Sequence, residues 1–103
     1  MRLNMEGSSF SEIIYALSHN HEIEFVYKGI EHKLEPAMNG NQSYLIIYQI
    51  DPFKTLEELS LGVDETGASP TPREKIIEIL NCKCFDGKSF YEIEKDVEIT
   101  AIS

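Results

Sequence analysis

The two cysteines of the chain, Cys82 and Cys84, are separated by one lysine, and His19 and His21 have the same spacing. Thiolates and imidazoles are the ligands that tetrahedral zinc sites use. These four side chains are therefore the one credible ligand set, and a metal- or small-ligand-binding protein is one functional hypothesis. Structural zinc sites usually have wider spacings, which favours another interpretation. In that interpretation Cys82 ends a helix, Cys84 fills an apolar position as free cysteines commonly do, and no metal or cofactor is expected.

An acidic run near the end of the sequence follows Tyr91 and consists of Glu92, Glu94, Asp96 and Glu98. It has the composition of a metal-binding or general-acid cluster, but it lacks the twelve-residue loop pattern of a calcium site. Because the run spans a predicted change from helix to strand, its side chains should fan outward as a solvated acidic edge. If this edge has a function, we expect it to receive a basic partner together with Tyr91.

The remaining polar side chains do not assemble a recognisable catalytic motif. His32 falls on the inner face of a predicted hairpin, where a packed, hydrogen-bonded histidine is the commoner role. No serine lies in a nucleophile-elbow pattern, and the stretches NGN and DGKS lack the spacing of a phosphate-binding loop. The sequence therefore predicts no catalytic residue and no enzyme.

Length and composition predict a single folded domain over residues 1–103. The chain contains 42% apolar and 26% charged residues, and its longest apolar run, residues 44–48, is too short to span a membrane. We therefore expect a cytoplasmic protein. The 18 acidic and 9 basic side chains give a net charge of −9, which disfavours nucleic acid and anionic membranes as partners. A monomer or a weak homo-oligomer is expected.

The first part of the chain predicts a helix and a hairpin. Apolar residues at helical spacing favour a helix from about Phe10 to His19, with Asn20 as its left-handed stop. Alternation then predicts two strands joined by the tight turn Lys28-Gly29. This turn would pair Ile23 with Leu34, Phe25 with His32 and Tyr27 with Ile30, and would place Glu24 beside Lys33 on the other face. Pro36 is expected to end the second strand because it cannot donate a ladder hydrogen bond.

The rest of the chain predicts strands and short helices. Tyr44 to Ile50 is the most apolar stretch and is interpreted as a central strand buried largely on both faces. Short helices are predicted over Phe53 to Leu61, from the N-cap Thr71, and over residues 88–96. Residues 97–102 alternate as a last strand. The pattern predicts an α+β fold: an N-terminal helix, a three-stranded antiparallel meander, short helices and a C-terminal strand that completes the sheet.

Two stretches of the sequence are similar to a known group of proteins. They are ALSHNHEIEFVYKGIEHKLEP at residues 16–36 and TPREKIIEILNCKCFDGKSFYEIEKDVEITAI at residues 71–102. In that order they resemble a loose group of short uncharacterised proteins, chiefly from low-GC Gram-positive bacteria and their mobile elements. The group has an EIEF.Y.G hairpin and a C-terminal DGKSL.EI..D.EI segment, from which this chain departs at Phe90 and Glu94. The resemblance implies an α+β fold and carries over no catalytic or binding residue.

These observations favour a small acidic protein-interaction module over the metal-binding alternative. Small size, diffuse negative charge and tyrosines such as Tyr91 and Tyr48 suit a protein that acts by occluding the surface of a partner. The expected partner is another protein with a basic surface. An immunity or antagonist protein, or an accessory factor of a mobile element, fits this description.

Overall fold

The computed structural model describes residues 8–103, which begin with helix α1 (Ser8–Ser18). The apolar face predicted for this helix is present, with Ile13 and Leu17 fully buried. The helix is followed by Asn20 at φ +61°, as predicted. Asparagine tolerates this left-handed conformation better than most residues with a side chain, so the chain can turn sharply towards the sheet.

Strands β1 (Ile23–Tyr27) and β2 (Ile30–Asn39) form a hairpin in the predicted register. The observed partners are Ile23 with Leu34, Glu24 with Lys33, Phe25 with His32 and Tyr27 with Ile30. The turn residues Lys28 and Gly29 both have positive φ, +54° and +76°. Such a turn matches the twist of the two strands and leaves no freedom in their pairing.

Strand β2 continues beyond Pro36, so the prediction that this proline ends the strand was wrong. The β1 partners of β2 reach only as far as Leu34. After that residue, β2 pairs on one side alone, with β3 (Gln42–Gln49). A proline is tolerated in a strand where its nitrogen faces an unpaired side.

Residues 53–61 do not form the predicted helix. They belong to strand β4 (Lys54–Val63), which pairs with β3. The helix was predicted from Asp51-Pro52 as an N-cap and first-turn signature and from Thr55 with Glu58 as a capping box. The apolar residues Leu56 and Leu59 are three residues apart. A β-bulge opposite Tyr48 inserts Leu56 into the strand, so that both leucines pack against the core. Because of the bulge, two residues that are three positions apart lie on the same side of a strand, a spacing that is otherwise typical of a helix.

The second half of the chain contains short helices and the last strand. They are α2 (Arg73–Leu80), α3 (Phe90–Ile93), a 3₁₀ turn (Glu94–Asp96) and β5 (Val97–Ile102). The predicted N-cap Thr71 was wrong, because α2 is preceded by Pro72 without a side-chain cap. An N-cap that was not predicted lies before α3, where Ser89 and Glu92 form a capping box.

A hydrogen-bonded clasp joins the end of α1 to the chain just before α2. The buried Thr71 hydroxyl donates to Asn20 Oδ1 at 2.9 Å, and Asn20 Nδ2 donates to the Ser69 carbonyl at 3.0 Å. The Thr71 N–H donates to the Ser18 carbonyl at 3.3 Å. The threonine predicted as a helix cap therefore ties two helices together instead.

The five strands form one antiparallel sheet in the order β4-β3-β2-β1-β5. The three helices pack on one face of it and enclose a single core. The fully or almost fully buried apolar residues are Ile13, Ile14, Ala16, Leu17, Ile23, Phe25, Tyr27, Leu34, Leu45, Ile47, Ile76, Ile79, Leu80, Phe85, Phe90, Ile93, Val97 and Ile99. The predicted α+β fold is confirmed, with a four-stranded meander in place of the three strands expected. Within residues 8–103, no helix combines the length and apolar character needed to cross a membrane.

Candidate functional site

The face of the sheet opposite the core is covered by none of the described helices, and we call it the open face. Because side chains alternate along a strand, it carries the residues that lie between the core positions. These are Glu98 on β5; Glu24 and Val26 on β1, with Glu22 just before it; Glu31, Lys33, Glu35 and Ala37 on β2; Tyr44, Ile46 and Tyr48 on β3; and Thr55, Glu58 and Ser60 on β4. The open face is an acidic surface with an apolar centre.

The apolar centre is provided by β3. Leu45 and Ile47 point to the core and are fully buried, whereas Tyr44, Ile46 and Tyr48 on the open face are half-buried. The prediction that this strand lies inside the sheet is confirmed, since β3 lies between β2 and β4. The prediction of burial on both faces was wrong, because all three helices pack on the same side.

A cluster of charged side chains adjoins this apolar centre. Glu22 and Glu35 occupy the position that continues the β1–β2 register, so the two carboxyl groups face each other. Lys33 Nζ lies 3.7 Å from Glu22 Oε1 and 3.6 Å from Glu24 Oε1. Tyr48 donates its hydroxyl hydrogen bond to Glu35 Oε1 at 2.9 Å. One lysine among these carboxyl groups leaves the surface negative.

The facing carboxyl groups differ in their affinity for a proton. A hydrogen bond with Glu35 lowers the pKa of Glu22, whereas burial and the contact with Glu22 raise the pKa of Glu35. Burial and the hydrogen bond to Glu35 raise the pKa of Tyr48 to about 12. The charge of Glu22 raises the pKa of Lys33. Glu35 is therefore protonated before Glu22 as the pH falls, and Tyr48 remains a hydrogen-bond donor.

Two of the residues predicted to bind a partner make contacts within the protein itself. Tyr91 is half-buried with its ring centroid 4.4 Å from that of Phe10, and burial raises its pKa. The Glu92 carboxylate accepts hydrogen bonds from Lys83 and from the Ser89 N–H. These contacts lower the pKa of Glu92 to about 2. Glu92 thus holds the start of α3, and Tyr91 packs beneath α1.

The other three predicted residues lie along the approach to the last strand. Glu94 and Asp96 are in the 3₁₀ turn that precedes β5, and Glu98 is exposed on β5 opposite Val26. Of the predicted set, the structure therefore brings Glu98 to the open face. Glu94 and Asp96 extend the negative charge along the end of the sheet.

The predicted ligand set Cys82, Cys84, His19 and His21 is not assembled. Across residues 8–103, no group of three or more His, Cys, Asp or Glu side chains has an arrangement that could hold a metal ion. Cys82 instead donates a hydrogen bond to Glu57 Oε2 at 2.8 Å, and burial together with this contact raises its pKa to about 12. Burial also raises the pKa of Cys84. Both thiols are free, and their protonated state at neutral pH makes them weak ligands.

His32 lies inside the core, on the inner face of the hairpin where the sequence placed it. Its ring stacks on Phe25 at a centroid distance of 5.0 Å and an interplanar angle of 8°. The rings of Tyr27 and Phe85 also surround it. Its Nδ1 donates to the Ile30 carbonyl at 2.8 Å. Burial lowers the pKa of His32 because the protonated ring would lose its hydration.

The lowered pKa of His32 predicts a stability that falls on mild acidification. The unfolded state binds this proton near pH 6.5, before the folded state does. The contribution of His32 is therefore complete above pH 6.5 and is lost as the pH falls through the folded pKa, by up to about 1.4 kcal/mol per pH unit. Urea unfolding of the wild type and of His32→Leu between pH 7.5 and 5 should show a shallower pH dependence in the variant.

The exposed His21 supplies a matched control for this measurement, because His21→Gln should keep the wild-type pH dependence. Equal slopes for the wild type and His32→Leu would contradict the assignment. An NMR titration of the His32 ring in the wild type checks the same point independently, and its midpoint should lie below 6.5.

The open face was not predicted from the sequence, from which the C-terminal acidic run was expected to bind a partner. A signal for this face was present in the hairpin sequence. Four glutamates alternate there with the apolar core positions and so lie on the same face of the sheet: Glu22, Glu24, Glu31 and Glu35. One face of a sheet carrying four glutamates is costly unless it is exposed. That pattern predicts an uncovered acidic face.

Comparison of the sequence and the fold with protein-family models, curated proteins and solved structures finds no match.

Proposed function

We propose that the protein is a small interaction module that binds a basic protein partner through its open face. The observation that carries this proposal is the half-buried apolar patch of Tyr44, Ile46 and Tyr48 within a field of carboxylates. An apolar centre that becomes dry on binding, with charged groups at the rim, is the usual organisation of a protein interface. Tyrosine supplies much of the binding energy in such centres.

The rim of the open face favours a cationic partner. Glu58 lies opposite Ile46, and Glu31 and Glu98 lie farther along the open face on either side of Val26. Lys33 is engaged by neighbouring carboxylates. With a net charge of −9, the protein attracts basic surfaces over distances near the Debye length. Phe53, which is 70% exposed with its ring 5.6 Å from that of Tyr48, extends the apolar surface towards β4. These features suit an antagonist that occludes a basic site on its target.

Replacing Ile46 by lysine should strongly weaken partner binding. The partner is isolated from the native host by affinity capture at low salt, and its affinity for purified variants is then measured by calorimetry. Ile46→Lys places a charge at the apolar centre, and we expect a loss of at least about thirtyfold, the effect of a central interface residue. Glu58→Lys at the rim should mainly slow association and weaken its salt dependence.

Glu74→Lys is the matched control, because Glu74 is exposed on α2, on the other side of the sheet. It makes the same charge change as Glu58→Lys and should bind as the wild type does. Circular dichroism establishes that each variant is folded. Wild-type affinity of Ile46→Lys, or affinity that is indifferent to ionic strength, would contradict the proposal, as would recovery of no specific partner.

A further inference from the structure

The two edge strands of the sheet differ in how their backbone groups are protected. An exposed edge invites pairing with another chain, and proteins usually block it. Strand β4 has two β-bulges, and its Glu58 N–H and Gly62 N–H donate to side-chain oxygens of Glu57 and Ser60 at 3.0 and 3.4 Å. β5 has one bulge, opposite Glu24 and Phe25, and its Thr100 hydroxyl donates to the Glu24 carbonyl of β1 at 3.2 Å. Among the described residues no side chain bonds a backbone group of β5 itself, so β5 is the less protected edge of the sheet.

An apolar groove lies between α1 and the C-terminal end of β5, on the helix side of the sheet. It has a volume of about 530 Å³ and is lined by Ser11, Glu12, Tyr15, Ala16, His21 and Ile102. Tyr15 is 64% exposed and Ile102 is 38% exposed, so two large side chains border the groove without being covered by described residues. A strand placed along β5 would cover both.

The charges around β5 are predominantly negative. Glu94 and Asp96 precede the strand, Glu98 projects from it towards the open face, and Glu12 lies at the groove. Lys95 is the exposed cation in the same segment. Pairing of β5 with a second copy would bring the acidic groups of both copies together, which disfavours a homodimer at this edge.

We propose that β5 accepts an extended segment of a partner protein as a sixth strand of the sheet. Side chains of the incoming strand alternate between the two faces. On the helix side they meet Tyr15 and Ile102, and on the other side they meet Glu98. The segment therefore alternates apolar and cationic residues. This inference rests on the proposed function for the basic character of the partner, but it assigns a different surface and a backbone-directed mode of binding.

Synthetic peptides test this mode without the partner. The probe is an acetylated peptide of alternating lysine and valine with the length of β5, titrated calorimetrically against the full chain. Two further peptides carry N-methyl groups on all lysine or on all valine amides. In an added strand, the N–H groups of every second residue point towards β5, so either the lysine amides or the valine amides bond it. Methylation of the amides that face β5 should lower the affinity at least about tenfold, whereas methylation of the other amides should not.

Protein variants locate the binding edge. Ile102→Glu should lower the affinity for the alternating peptide at least about tenfold. Val63→Glu makes the same change at the end of the opposite edge strand, where the valine is 59% exposed, and should have no effect. Ile46→Lys at the open face should also leave peptide binding unchanged.

Several outcomes would overturn the proposal. They are no binding of the alternating peptide, equal binding of both methylated peptides, and an equal loss in Val63→Glu and Ile102→Glu. Peptide binding that appears only after deletion of residues 1–7 would indicate that a segment of the same chain, and not a partner, pairs with β5. If the peptide experiments fail but partner binding is still weakened by Ile46→Lys, strand addition at β5 is refuted and the interface at the open face is retained.

Discussion

Replacing Phe90 by alanine is expected to lower the free energy of unfolding by about 3–5 kcal/mol, the range for a large buried aromatic side chain. Phe90 is fully buried at the start of α3. Its ring packs edge-on against Phe25 at 5.3 Å and near Phe10 and Phe85 at 6.4 and 6.3 Å. The cavity left by alanine would border side chains from α1, β1 and the loop before α3. Urea unfolding followed by circular dichroism measures the change.

Two variants make the result specific to packing. Phe90→Leu keeps most of the volume and should cost less than about 1.5 kcal/mol. Phe53→Ala removes the same ring from a site that is 70% exposed and should change stability by less than about 0.5 kcal/mol. Similar losses at Phe90 and Phe53 would show that the aromatic cluster is not the centre of the core.

Replacing Asn20 by alanine is expected to cost about 2–5 kcal/mol. Alanine at φ +61° carries the strain of a left-handed residue, about 1–2 kcal/mol. The substitution also removes both side-chain hydrogen bonds of the clasp, to Thr71 and Ser69. The buried Thr71 hydroxyl is then left without this partner, which adds about 1–3 kcal/mol. The midpoint of urea unfolding reports the sum.

Further substitutions separate strain from hydrogen bonding. Asn20→Gly relieves the backbone strain and should recover part of the loss seen in Asn20→Ala. Thr71→Val removes the hydroxyl, so its combination with Asn20→Gly should be less destabilising than the sum of the two single changes. Strict additivity would mean that the clasp does not couple the two residues.

Local patterns were sufficient where sequence neighbours determine the structure. The β1–β2 register followed from alternation and from the Lys28-Gly29 turn, because a two-residue turn allows one pairing of its strands. The end of α1 followed from Asn20 in the same way. At these positions the residues that decide the conformation lie within a few positions of each other in the chain.

The predictions were wrong where contacts with a distant part of the chain determine the local structure. The helix over residues 53–61 was predicted from local capping signals alone, but these residues pair with β3 as a strand. The bulge at Leu56 lets both Leu56 and Leu59 pack against the core. Pro36 was misjudged because its environment depends on where β1 stops. The open face could be predicted only in part, since the glutamates of the hairpin show that one face is polar. The pattern of β3 does not show on which side α2 and α3 will pack.

The order of the strands also bears on how the chain acquires its structure. The neighbours β1 to β4 follow one another in the chain, so their pairing can proceed while the protein is being synthesised. The remaining side of β1 is completed by β5, which begins only at Val97. Until then the edge of Phe25 and Tyr27 is unpaired in the nascent chain, and such edges are prone to aggregation. We expect chaperone dependence during translation to be concentrated at β1.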